Sequence, residues 1–137
     1  MHSQTMFTFA TRGTGLYEIT DEVVEWLQAQ GAGIGLLTLF CQHTSASLVI
    51  TENASPAVHR DMLRWFASVA PEGPGYEHSD EGPDDMPAHL KAALTGNSLT
   101  IPVAEGRPLL GTWQGIYLAE HRRAGHRRRV VAHFSGD

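Results

Sequence analysis

A chain of 137 residues, 42% of them apolar, is long enough for one domain with a real core, and no linker-like stretch divides it, so residues 1–137 are read as a single domain. A formal charge of −5 gives no reason to expect a nucleic-acid partner, and no apolar run approaches the ~20 residues of a membrane-spanning helix. The single cysteine, Cys41, excludes an intrachain disulfide framework; with a start (Met1-His2-Ser3-Gln4) that lacks signal-peptide features, it predicts a cytoplasmic protein.

Met6 to Thr11 alternates apolar and polar residues, the pattern of a half-buried strand, and Leu16 to Ile19 reads as its short return after Gly13 and Gly15. Thr20 is the expected N-cap of a helix with an apolar stripe at Val23, Val24 and Leu27, ended by Gly31. Ile34 to Phe40 is a continuous apolar run and predicts a buried strand; Ser47 to Thr51 predicts another. Ser55-Pro56 opens a second helix whose Val58, Met62, Trp65, Phe66 and Val69 predict close packing on one side. A short helix beginning near Pro87 stops at Gly96, with Asp84 and Asp85 at its positive end. Ser98 to Val103 is a strand that Pro102 places at an edge or bulge, Glu105-Gly106-Arg107 is a turn, and a further strand runs from Leu109 through Leu118. Arg129 to Phe134 closes the chain as an alternating strand. Seven or eight strands with two longer helices and one short one predict an α+β fold, with a β-sandwich-like arrangement of antiparallel or mixed sheets.

The stretch richest in potential ligands runs from His78 to Lys91, with two histidines and the acids Asp80, Glu81, Asp84 and Asp85. Helix capping explains Asp84 and Asp85 but neither histidine, so the stretch is read as one wall of a metal or phosphate site. His43, between two predicted strands, joins His78 and His89 as a candidate metal-ligating trio that would leave a position open for water or substrate. Each histidine taken singly is more simply a surface residue or one satisfied by a hydrogen bond, and the spacing of 78 and 89 matches no local zinc motif. Glu52, Asn53 and Asp61 are candidates for a base or for partners of the ligands, and otherwise cap helix ends. Gly111 and Gly115 around Trp113 would let backbone approach a ligand, Trp113 could stack on a flat ring and Gln114 orient its edge, all facing the cavity of His89. Arg122, Arg123, His126, Arg127, Arg128 and Arg129 form a local basic cluster, either a solvated turn or a receiver of phosphates. Nucleotide-binding glycine motifs and a nucleophile elbow are absent.

Taken together, Gln42-His43-Thr44-Ser45-Ala46-Ser47-Leu48, Glu52-Asn53, Arg60-Asp61-Met62, Tyr76-Glu77-His78, Glu81-Gly82, Ala88-His89-Leu90-Lys91 and Gly111-Thr112-Trp113-Gln114-Gly115-Ile116 resemble the signature segments of the YjbQ family. The resemblance covers nearly the whole chain. It implies a small α+β domain with a sandwich of sheets, a homotrimer, and a site near subunit boundaries lined by His43, His78 and His89, with metal in some members. It implies secondary thiamine-phosphate synthase activity, joining hydroxymethylpyrimidine diphosphate to a thiazole phosphate with release of pyrophosphate. Under that reading His89, Glu52 and Asp61 are the catalytic candidates, and Thr44, Asn53, Lys91, Trp113 and Gln114 contact substrate. The Asp84–Pro87 segment resembles one branch of the family only, which makes those two acids weaker candidates than the histidines.

The implied reaction and the residues fit each other unevenly. Neutralising a departing pyrophosphate calls for Mg2+ on carboxylates, here Asp80, Glu81, Asp84 and Asp85, or for Lys91 and the arginines. A histidine-lined, zinc-like site suits hydrolysis better, because Mg2+ prefers oxygen ligands. The alternatives are therefore a metal-dependent hydrolase of an unidentified small molecule and a non-catalytic metal- or ligand-binding trimer.

Overall fold

Alternation of side chains across the strands builds two antiparallel sheets that share one apolar core. The computed structural model describes residues 1–137. In chain order the elements are β1 His2–Ala10, β2 Gly15–Glu18, α1 Thr20–Ala29, β3 Gly35–Cys41, β4 Ala46–Glu52, α2 Pro56–Val69, α3 Asp85–Thr95, β5 Ser98–Ala104, β6 Arg107–Pro108, β7 Gln114–Glu120 and β8 Arg127–Gly136. One sheet has the order β1-β8-β3-β5-β6 and the other β2-β7-β4; every pairing is antiparallel, so the expected α+β sandwich-like class holds without parallel strands. Between the sheets lie Leu37 and Leu39 of β3, Leu48 of β4, Ile116 and Leu118 of β7, and Val130, Ala132 and Phe134 of β8, with Val23 and Leu27 of α1 closing one side. No helix is long and apolar enough to cross a membrane.

Several local expectations change. Thr20 does not cap α1; its hydroxyl donates to Glu18 and accepts the N–H of Ile116, which ties the helix start to β7. The run at β3 is buried on one face only: Leu37, Leu39 and Cys41 point inward while Leu36 and Phe40 stand exposed, as strand geometry requires of a one-sided sheet. On α2 only Phe66 is fully buried and Trp65 and Val69 face outward, so its stripe does not pack as tightly as its periodicity predicts. The helix expected to be short, α3, has 11 residues against 10 in α1. The strand expected from Leu109 to Leu118 is interrupted by a turn in which Gln114 N–H bonds Gly111 O, and β7 starts only at Gln114. The turn at Glu105 and Gly106 is as predicted, both residues having positive φ. β6 pairs with Val103 and Ala104, and the ladder ends at Pro102, whose carbonyl still accepts the Leu109 N–H at 2.8 Å while its ring nitrogen has no N–H to return.

The basic cluster is not one patch. Arg128 is buried and forks onto buried Glu120, with Nε 2.8 Å from Oε1, and its Nη2 also donates to Ser45 Oγ at 3.0 Å. Thr11 Oγ1 and Arg122 N–H donate to the same carboxylate. Burial works to raise the Glu120 pKa, but these donors outweigh it and hold the group below the ordinary carboxylate range. The network pins the end of β7 to β8 and to the start of β4, beneath the loops that carry the candidate ligands. Beside it His121 accepts or donates to Ser47 Oγ at 2.8 Å, and burial lowers its pKa to about 4, so it is neutral near pH 7.

Candidate metal centre

Three side chains from the ligand-rich stretch converge. Asp85 opens α3, His89 follows one turn later on the same helix face, and His78 reaches in from the preceding loop. Asp85 Oδ2 lies 2.8 Å from His78 Nε2 and 3.1 Å from His89 Nε2, and the three potential ligand atoms all fall within 4.8 Å of one another. The imidazole rings are 5.5 Å apart, edge to face. Asp85 itself is buried, while His78 remains about half exposed, which leaves an approach from solvent.

Arg122 fixes the acid. It donates to Asp85 Oδ1 at 2.9 Å, to Asp84 Oδ2 at 3.0 Å and to the Glu81 carbonyl at 2.8 Å, and Arg123 N–H adds a bond to Asp84. Burial alone would raise both carboxyl pKa values. The Arg122 hydrogen bonds and charge lower Asp84 to about 2, and the His78 contact together with the charges of His89 and Arg122 lowers Asp85. Neither acid caps α3 through its side chain, contrary to the simple reading of the sequence.

Hydrogen-bond logic then constrains His89. Its Nδ1 is 3.1 Å from the Thr44 carbonyl, which can only accept, so Nδ1 carries the proton. A neutral His89 therefore presents the bare lone pair of Nε2 to an ionised carboxylate oxygen. That arrangement is satisfied either by a second proton on the ring or by a cation between the two groups. A carbonyl holding Nδ1–H while Nε2 faces a ligand site is also the usual support for a metal-bound histidine. The chemistry of the set fits a divalent transition ion: two imidazoles and one carboxylate, with open positions, are a zinc- or iron-type donor set rather than a magnesium one. The present spacings are hydrogen-bonded ones, slightly closer than the ~3.3 Å between two ligands held tetrahedrally at 2.0–2.1 Å.

His43 is not part of this set. Its Nε2 accepts the N–H of Arg129 at 2.7 Å, which removes that lone pair from coordination. It instead lines a cleft of about 360 Å3 together with Thr44, His89, Ala92, Gly96 and Asn97. His78 borders a second cleft of about 560 Å3 with Tyr76, Asp80 and Met86. Lys91, two residues past His89, is half-buried and turned toward the side of Glu72, Asp84 and His121; burial lowers its pKa.

The remaining candidates gather elsewhere in the chain. In the β4–β7 ladder Ala46 pairs with Glu120 and Glu52 with Gln114, so Asn53, Trp113 and Gln114 lie at the opposite end of these strands from Thr44 and Arg122. Six strand steps put that end ~20 Å away. Within one chain Trp113 and Gln114 therefore do not face the cavity of His89. Glu52 Oε2 accepts the N–H groups of Ala54 and Ser55 ahead of α2, a structural use of the acid. Asp61 is exposed beside Arg64. Asn53 bonds the Gln114 and Trp113 backbone, and Gln114 Oε1 takes the Gly111 N–H. Trp113 is 64% exposed and is not a core residue. Gly115 does not open onto a ligand: a Cβ there would lie 2.7 Å from Glu18 Oε2 and 2.9 Å from the Tyr117 ring, so the chain itself fills that space.

The sequence offered Asp85 only as one of four acids and Arg122 only as part of the basic cluster; neither the role of Asp85 as hub nor that of Arg122 as partner of both acids was read from it. Asp85 and His89 stand four apart on a predicted helix, and that spacing alone places them on one face.

Comparison with known proteins gives one consistent answer. A family model described as UPF0047 protein YjbQ-like matches residues 5–137. The chain is 47% identical over 135 residues to a UPF0047 protein of Synechocystis, covering 98% of this chain and 92% of the relative, and 45% identical to the UPF0047 protein YjbQ of Escherichia coli O157:H7, covering both completely. A solved structure of an uncharacterized conserved YjbQ/UPF0047 family protein from Clostridium acetobutylicum superposes with a TM-score of 0.88 at 35% identity, over 96% of this chain and 99% of that one. A hypothetical protein from Aeropyrum pernix does so with 0.90 at 31%, over 98% and 99%. With its sequence matched nearly end to end and its two-sheet fold matched as closely, the chain belongs to the YjbQ-like UPF0047 family.

Proposed function

We propose that the chain is a metal-dependent enzyme that holds a zinc-like divalent ion with His78, Asp85 and His89 and acts on a small phosphorylated molecule. The observation that carries this reading is the forced tautomer of His89, whose Nε2 faces an ionised Asp85. Such an ion supplies Lewis acidity at the mouth of the clefts. The chain's own residues do the rest: Arg122 keeps Asp85 charged and oriented, Thr44 O turns His89, and half-exposed His78 leaves the open side to substrate.

The first reaction to test is the one that the family resemblance implies, thiamine phosphate formation from hydroxymethylpyrimidine diphosphate and thiazole phosphate. Hydrolysis is the second reading, and a specific observation favours it: Arg122 and Arg123 hold both Asp84 oxygens and one of Asp85's, which leaves one carboxylate oxygen beside two imidazoles, a set poorer in oxygen than Mg2+ prefers. Purified protein with defined metal content is expected to release pyrophosphate only when both precursors are present if it is a synthase, and phosphate or pyrophosphate from the diphosphate alone if it is a hydrolase. His89→Ala should lower either rate at least about tenfold. No release with zinc, iron, manganese or magnesium overturns the enzyme reading and leaves a binding protein.

The same proposal places the protein in the reducing cytoplasm, where a lone buried thiol such as Cys41 suits, and in a homotrimer. Exposed Met6, Leu36 and Phe40 on the outer face of the five-stranded sheet offer apolar area for that contact. Light scattering at micromolar concentration should give the mass of three chains, and a one- or two-chain mass refutes the trimer.

A further inference from the structure

The 360 Å3 cleft beside His89 has walls without lysine, arginine, aspartate or glutamate. One wall is the face of α3 on which His89, Ala92, Ala93 and Gly96 succeed one another at helical spacing, so past the His89 ring it carries nothing larger than a methyl group. The other comes from the β3–β4 loop through His43 and Thr44. The volume is more than twice the ~150 Å3 of a cavity that takes a benzene ring.

His43 gives this cleft one directed polar group. Its Nε2 accepts the Arg129 backbone N–H, so the proton of the neutral ring sits on Nδ1. Every side-chain nitrogen or oxygen sealed from solvent has a hydrogen-bond partner, whereas His43 Nδ1 has none within the chain, so its N–H is open to a ligand. His89 offers no second donor here, since its Nδ1 is held by the Thr44 carbonyl and its Nε2 faces Asp85. At the rim the exposed Thr44 hydroxyl and Asn97 amide can each donate or accept. A phosphate placed in the cleft would exchange its hydration for one fixed donor and a row of methyl groups, a cost that these walls do not offset. A neutral ring loses far less water and lies against the α3 face.

We propose that the cleft is the subsite for the uncharged part of the substrate, a flat ring whose in-plane acceptor takes the His43 Nδ1–H, while the phosphate stays outside on the open side of His78. The position of the phosphate rests on the metal-enzyme reading above. The ring pocket itself needs no metal.

Three small probes of similar shape test this, followed through the 15N signals of His43 in histidine-labelled, metal-free protein at pH 8. They are 3-methylpyridine, which is neutral there and carries a ring-nitrogen acceptor, toluene, which lacks the acceptor, and the anion pyridine-3-carboxylate. The His43 Nδ1–H should respond saturably to 3-methylpyridine, with toluene about fivefold weaker and the carboxylate at least about tenfold weaker. His43→Phe should bring 3-methylpyridine to the level of toluene. Ala93→Leu, which puts a larger side chain on the α3 wall, should weaken both neutral probes about tenfold. Circular dichroism checks that each variant folds, and if His43→Phe does not, the comparison of toluene with 3-methylpyridine carries the same information. A silent His43, tightest binding of the carboxylate, or neutral probes untouched by a folded Ala93→Leu chain would each overturn the subsite. Zinc uptake by the same protein is measured separately. A chain that takes 3-methylpyridine at His43 but no zinc removes the metal reading and leaves the subsite. One that takes zinc but no 3-methylpyridine does the reverse.

Discussion

Asp85→Asn is expected to weaken zinc binding by at least about 100-fold while leaving the fold intact, because the change keeps the shape of the side chain and removes only its charge. Asp85 is the one group that both histidines face, at 2.8 and 3.1 Å, so no neighbour can replace it. Asp84 cannot do so: its oxygens are held by Arg122 and by Arg123 N–H. Arg122 would keep Asp84 and the Glu81 carbonyl as partners, which limits the loss of stability. Circular dichroism and a thermal melt establish folding, and competition against a chelator gives the affinity. A folded Asp85→Asn chain that binds zinc within about threefold of the original contradicts the assignment.

Arg128→Ala is expected to have the largest effect on stability. It leaves the Glu120 carboxylate, which is fully buried, without its forked partner, and breaking one side of a buried pair costs about 3–5 kcal/mol. Against the 5–15 kcal/mol of a typical domain that is about a fifth of the total or more. Replacing both partners by apolar residues of similar size, Glu120→Leu with Arg128→Met, should cost less than Arg128→Ala alone, because it leaves no buried charge behind. Urea unfolding of the three proteins decides the matter. A single variant within about 1 kcal/mol of the original would show that water reaches Glu120 and that the pair is not a structural pin.

The sequence made the strands legible because their period is two and one face of each sheet is solvated, although β3 shows how a run of apolar residues hides that alternation. Leu36 and Phe40 look as buried as Leu37 and Leu39 until the sheet has a dry side and a wet one. For α2, periodicity marked the face correctly at Phe66 but could not show how little of the domain lies against it. In the site, His78 and His89 were visible as flanks of an acidic loop, and Asp85 only as one of its acids, although it stands four residues before His89 on a predicted helix. His43 was misjudged for a reason that only strand register reveals. β3 pairs with β8 up to Cys41 and Val130, so His43 lies just past the ladder beside Arg129 and its ring accepts the next free N–H. Register likewise separates Trp113 and Gln114 from His89, since an antiparallel β4–β7 pair sends the end of one strand to the start of the other. The arginines look alike in sequence, and only the fold distinguishes buried Arg128 and acid-locked Arg122 from unpaired Arg129.

The claim on which the rest depends is that a cation belongs between His89 Nε2 and Asp85, and the 15N signals of His89 near pH 7 test it most directly. In zinc-loaded protein the account predicts a ring with one proton, on Nδ1, and a metal-shifted Nε2, with one zinc bound per chain and nitrogen ligands at about 2.0–2.1 Å by X-ray absorption. A His89 ring that carries both protons, in protein that takes up no zinc, iron or manganese, would mean that His78, Asp85 and His89 form an ion-paired structural cluster and would contradict the metal centre.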